Sequence, residues 1–197
     1  MMSDVTALRI AIDLVRVPSR VRGVRAAPLP QHVDTLLRIA AGDESVETEA
    51  ARITGVSRQL VRKASAFFIE QILLHAGADS YRVLGVDPHA SPAELRRNMA
   101  LLLRWLHPDI DQNGERSMFA TRVTRAWEEV KTPSRRAEHD AAEAAMLKNQ
   151  RLIRRSRDSR FRSRGKASGK VLRRVKIRRK PGLVLRMLRF LLKPTKR

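Results

Sequence analysis

The chain has 197 residues, enough for about one to one and a half domains, with 41 Lys and Arg against 20 Asp and Glu and a formal charge of +21. It contains no cysteine, which excludes structural disulfides, thiol nucleophiles and cysteine-based zinc ribbons. Apolar residues make up 43%, sufficient for at least one packed core, and a charge of +21 invites a nucleic-acid or anionic-membrane reading.

The charge is concentrated at one end. Residues 148–197 carry 21 Lys and Arg and one acid, Asp158, a net +20 over 50 residues. Residues 1–147 hold 20 basic and 19 acidic groups, a net +1. The chain therefore reads as a near-neutral body with a basic tail, divided into an N-terminal helical region (1–77), a central domain (78–141) and the tail (142–197). The apolar stretch Leu8 to Val15 is broken by Arg9 and Asp13 and has no basic run before it, unlike a signal peptide. Nowhere do eighteen apolar residues run together, so no membrane span is expected. The expected location is the cytoplasm, with a peripheral place at the inner membrane surface open to the tail.

In chain order, Leu8, Ile12 and Val15 mark a short amphipathic helix over 5–17 that Pro18 ends. Arg20 to Pro30 reads as a basic connector. Helices follow over His32–Ala41, Glu47–Thr54 and Ser57–His75, the last with Leu60, Val61, Ala64, Phe67, Phe68, Ile72 and Leu73 along one side. Ser91-Pro92-Ala93-Glu94 is a capping box with Pro at the first helical position. The helix after it carries Leu95, Met99, Leu102, Leu103 and Leu106 on one face, with Arg96, Arg97 and Arg104 elsewhere, and His107-Pro108 stops it. A polar turn, Asp109 to Gly114, leads to a second helix with Phe119, Val123, Ala126, Trp127 and Val130, ended by Thr132-Pro133. The expected product is an antiparallel helix pair with His107-Pro108-Asp109 at its tip. No strand pattern or internal repeat is present, so the fold class is all-α.

That arrangement resembles the J domain of DnaJ-type co-chaperones. Tyr81-Arg82-Val83-Leu84-Gly85-Val86 is similar to the family's opening YxxLGV. Ala90-Ser91 with Glu94-Leu95-Arg96-Arg97 is similar to the start of its second helix, and His107-Pro108-Asp109 to its signature loop. Ala126-Trp127 through Pro133 to Arg136 and Asp140 is similar to its third helix and KRxxYD ending. Met99, Ala100 and Leu101 depart from the family's aromatic and basic residues in mid-helix. Phe119 precedes the expected aromatic position, which holds Ala120, and His139 stands where tyrosine is usual.

The resemblance implies a function by contact rather than catalysis. J domains bind a DnaK-type chaperone and stimulate its ATP hydrolysis. It implies docking by Arg96, Arg97 and Arg104, an essential loop anion in Asp109, and a turn shaped by His107 and Pro108. It also implies a core that includes Tyr81, Leu84, Leu95, Leu102, Val123, Ala126 and Trp127. The zinc module, Gly/Phe linker and β-rich region of larger DnaJ proteins have no counterpart in this sequence.

Three features stand outside the resemblance. Ala51, Gly55, Val56, Ser57 and Val61 have the spacing of a helix-turn-helix with Arg58, Gln59, Arg62 and Lys63 outward. The long apolar helix that follows favours instead a structural hairpin packed beneath the J domain. A nucleic-acid-associated protein using segment 47–64 and the tail, with a degenerate J-like domain, is the alternative reading. Second, His32, His75, His89, His107 and His139 lack ligand spacing, and no phosphate loop or nucleophile set occurs, so neither metal, cofactor nor enzyme activity is expected. Third, residues 150–180 read as disordered or a frayed helix, and 183–193 as an amphipathic helix. There Arg186, Arg189 and Lys193 share one stripe, suited to an anionic membrane surface ahead of a protein partner or nucleic acid.

Overall fold

A computed structural model describes residues 6–107 and 117–170, with side chains through residue 154. Among the described residues the chain is all-helical. Two compact units divide at Met1–Ala144 and Ala145–Arg197.

In the first unit, α1 (Thr6–Arg16) buries Ala7, Leu8, Ala11, Ile12 and Leu14, the helical spacing of its apolar positions. Pro18 then opens a 3-10 turn, Pro18–Arg20, and a short helix, α2 (Val21–Ala26), occupies what reads as connector. Arginines fasten this segment. Arg25 donates from Nε to the Gln71 carbonyl (2.7 Å) and from Nη2 to Gln71 Oε1 (3.0 Å), and Arg82 Nη2 donates to the Ala27 carbonyl (2.5 Å).

α3 (Val33–Ala40) buries Val33, Leu36, Leu37 and Ile39. α4 (Glu44–Thr54) starts earlier than its apolar pattern, because the Asp43 carboxylate accepts the Val46 N–H (3.2 Å) as an N-cap. Hydrogen bonds from Ser45 and Arg38 help hold the Asp43 carboxyl down at about 2. Gly55, at φ +68°, closes α4, and Ser57 caps α5 (Arg58–Phe68). α5 passes into a π-helical turn, Ile69–Leu73, closed by the Leu74 N–H on the Ile69 carbonyl (2.9 Å). The widened turn brings Ile69, Ile72, Leu73 and Leu74 all inward.

Glu47 is 1% exposed and accepts from Arg58 Nε (3.3 Å) and Arg62 Nη2 (2.7 Å), which locks α4 to α5. The pair is asymmetric. The arginines reach water, whereas the carboxylate does not. Replacing both arginines by Ala strands a buried charge and is expected to cost about 3 kcal/mol in urea unfolding, whereas Glu47→Gln costs about 1 kcal/mol. Equal losses would contradict this account.

α6 (Ser80–Val83), α7 (Pro92–Trp105) and α8 (Ser117–Val130) follow, and α9 (Pro133–Lys170) begins directly after them. Pro133 therefore stops α8 and also starts α9, as proline at a first helical position can. A single apolar cluster runs through the first unit. It joins Leu36, Leu37, Phe68 and Leu73 to Tyr81, Leu84, Leu95, Leu102, Val123 and Val130. The N-terminal helices and residues 78–141 thus share a core, with α3 packed on α7.

The described part of the second unit, residues 145–170, is the continuation of α9, and residues 145–154 are exposed. Helix extends over 150–170, where disorder or a frayed helix is expected from sequence. The amphipathic segment 183–193, with Arg186, Arg189 and Lys193, lies outside the described residues. No helix among the described residues is long and apolar enough to cross a membrane.

Candidate functional site

The site is built on α7. Its start is fixed by a complete capping box: Glu94 N–H donates to Ser91 Oγ (3.2 Å), and Ser91 N–H donates to Glu94 Oε2 (2.8 Å). The backbone and side-chain hydrogen bonds from Ser91 lower the Glu94 pKa. Stability from this group is present above its ordinary value of 4.5 and is lost as pH falls through the lowered value.

At about 100° per residue, the buried and half-buried positions of α7 fill an arc of about 200°. Leu95, Asn98, Leu102, Trp105 and Leu106 are buried, and Met99, Leu101 and Leu103 half-buried. The arc is wide because α7 is packed by α3 as well as α8. Leu101 belongs to this covered arc and packs against the core, which accounts for an apolar residue where the resemblance leads one to expect charge. The remaining stripe holds Ala93, Arg96, Arg97, Ala100 and Arg104, all exposed, and no acid. Arg96, Arg97 and Arg104 thus share one solvent-facing strip that runs toward the helix end. His107 is exposed just beyond it, and Pro108 and Asp109 lie outside the described residues.

The expected core residues are placed as follows. Tyr81, Leu84, Leu95, Leu102, Val123 and Ala126 are all at or below 3% exposure. Trp127 is half-buried at the edge of the cluster. Phe119 and Ala120 are both half-buried, and the Arg122 guanidinium lies 6.0 Å from the Phe119 ring centre.

Several supporting residues carry no sequence signal of comparable strength. Asn98 Nδ2 donates to the Leu84 (3.1 Å) and Gly85 (3.3 Å) carbonyls, tying α7 to the end of α6. A buried polar side chain inside an apolar arc is the one trace it leaves in the sequence. Arg122 Nη1 donates to the Leu74 carbonyl, joining α8 to the N-terminal helices. Arg136 bridges the Val130 and Ala90 carbonyls (3.0 Å each).

The start of α9 is docked by a polar cluster. The Tyr81 hydroxyl donates to Asp140 Oδ1 (2.9 Å), and the His139 ring meets the Tyr81 ring edge-on at 5.4 Å. His139, standing where the family has tyrosine, also lies 4.0 Å from Glu129 Oε2 and 3.6 Å from Asp140 Oδ1. Ser80 Oγ donates to the same Glu129 oxygen (2.5 Å). Burial and the Asp140 hydrogen bond push the Tyr81 hydroxyl up to about 12. Its contribution to stability is complete below the ordinary value of 10 and is lost only as pH rises through about 12. Burial opposes ionisation of Glu129, but hydrogen bonds from Ser80 and Arg125 outweigh it and lower its pKa. Its contribution is lost as pH falls below the ordinary value of 4.5.

Comparison with known proteins finds relatives for this region of the chain. The DnaJ domain family model matches residues 79–140. A protein named chaperone protein DnaJ from Leifsonia xyli subsp. xyli is 35% identical over 68 residues, covering 34% of this chain and 18% of that protein. One of the same name from Oceanobacillus iheyensis is 32% identical over 62 residues, covering 32% of this chain and 16% of that protein. The chain therefore spans less than a fifth of the length of these relatives, and both matches lie in the J-domain region. No solved structure gives a significant match.

Proposed function

We propose that the DnaJ-family J domain at residues 79–140 makes this chain a co-chaperone, which binds a DnaK-type chaperone and stimulates its ATP hydrolysis. The observation that carries the reading is the acid-free strip of Arg96, Arg97 and Arg104, which runs along α7 toward His107, the first residue of the His-Pro-Asp sequence. Three exposed guanidiniums on one helix face suit an acidic partner surface, steering encounter and fixing register. The chain supplies contacts and the partner supplies the ATP chemistry, so this reading needs no catalytic residue here.

Charge reversal of all three arginines to Glu tests the docking surface. Because these side chains are exposed, the melting temperature should change little, while stimulation of the cognate DnaK ATPase falls by about tenfold or more. Undiminished stimulation would remove the strip from the interface.

The tail has a separate role in this proposal. Residues 183–193, with their Arg186, Arg189 and Lys193 stripe, hold the co-chaperone at an anionic membrane surface. Flotation with anionic liposomes should be lost on deleting residues 181–197, and equal flotation of both forms would remove that role.

A further inference from the structure

We propose that α4 and α5 form a duplex-DNA-reading helix-turn-helix, which gives the chain a nucleic-acid contact independent of its J domain. The spacing of Ala51, Gly55 and Val61 is that of a helix-turn-helix, but the apolar helix after the turn favours a structural hairpin. The packing removes that objection. The apolar face of α5, with Val61, Ala64, Ser65 and Phe68 buried, is taken up mainly by α1, α3 and α4. The J domain instead rests on α3 and the residues that follow α5: α3 packs on α7, Arg122 reaches the Leu74 carbonyl, and Gly85 lies against Val33 and Leu73.

The opposite face of α5 is thereby left outward. Arg58, Gln59, Arg62 and Lys63 are all exposed, at the i, i+1, i+4, i+5 spacing of one stripe. Gly55, at φ +68°, makes the three-residue turn into α5, and Ser57 accepts the Leu60 N–H (3.2 Å) to fix the start of the helix. Those six residues, Arg58 to Lys63, rise about 9 Å, the span of two to three base-pair steps, on a helix whose width matches a major groove of about 12 Å.

The chemistry of the stripe fits base edges and phosphates. It carries no apolar residue to enter a lipid surface. Buried Glu47 takes one N–H from Arg58 and one from Arg62, so each guanidinium is oriented and keeps further donors for an anion or a guanine edge. Gln59 has the donor and acceptor pair that adenine's major-groove edge requires, and Lys63 suits a phosphate. Two of the carboxylates on α4 and its cap are paired within the module: Glu49 with Arg52 (2.6 Å) and Asp43 with Arg38 (2.7 Å).

The basic tail will bind any polyanion, so the test must read sequence preference rather than affinity. The full-length chain is used to select from a pool of random-sequence duplexes at physiological salt with heparin as competitor. The selected duplex is then titrated against wild type and a Gln59→Glu, Lys63→Glu double variant. These two side chains avoid the Glu47 lock, so the fold should persist, as thermal melting will show. The expected results are enrichment of a short base-pair core and binding of that duplex weakened by about tenfold or more in the variant. Stimulation of the cognate DnaK should be unchanged in the variant. Failure to enrich any sequence, or equal binding by both proteins, would overturn the proposal and assign the affinity to the tail.

Discussion

An Asp109→Asn variant is expected to fold as wild type does and to leave the cognate DnaK at its basal ATPase rate. The change is nearly isosteric and removes one negative charge. The last turn of α7 is closed within the helix by the Leu106 N–H on the Leu102 carbonyl (3.0 Å). A carboxylate that matters for folding would show in the melting temperature. One that matters for signalling to the partner would show only in the ATPase. In a network where one charge is read by a partner's cation, its removal leaves that cation desolvated and unpaired, a larger loss than the pair's net worth. Single-turnover hydrolysis by the cognate DnaK checks this. Full stimulation by the variant would separate this chain from the family's mechanism.

The second large effect concerns Gly85. Its φ is +66°, and a Cβ built there would lie 2.9 Å from Val33 Cγ1 and 3.3 Å from Leu73 Cδ1. Gly85→Ala therefore combines left-handed backbone strain with a clash against α3, together about 2–4 kcal/mol. Gly55 is the matched control. It has a similar φ of +68° and no neighbour within 4 Å of an added Cβ, so Gly55→Ala should cost only about 1 kcal/mol. Urea unfolding of both variants measures the difference. Because one apolar cluster joins the N-terminal helices to the J domain, wild type and variants should lose both in one transition. Similar costs at Gly85 and Gly55 would deny the close seat of α3 on the LGV turn.

The same turn shows how far sequence reading reaches. The existence of α7, its capping box and its arginine stripe follow from local rules, since side chains at helical spacing and a Ser-Pro-x-Glu start need no tertiary information. The His-Pro-Asp tripeptide was legible for the same reason, although only His107 falls within the described residues. Tertiary packing decided the rest. The burial of Asn98 depends on the Leu84 and Gly85 carbonyls to which it donates, in a turn that lies against Val33 of α3. Arg122 reads as a surface residue of α8 until its partner, the Leu74 carbonyl, is known. Pro133 reads as a stop, because the rule for the residue before proline is local. Its second role as the first residue of α9 depends on Arg136 and Asp140 finding partners across the domain. The apolar run from Leu60 to Leu73 predicts burial correctly but does not name the neighbours. α1 and α3 take the buried face of α5, which leaves the Arg58 to Lys63 face outward.

Activation of a DnaK-type partner is the expected activity of this chain. The most direct measurement is single-turnover ATP hydrolysis by the cognate DnaK as the full-length protein is titrated in. The account predicts a saturable rise in rate, lost on reversing Arg96, Arg97 and Arg104. A rate that stays at its basal value across the titration would contradict it.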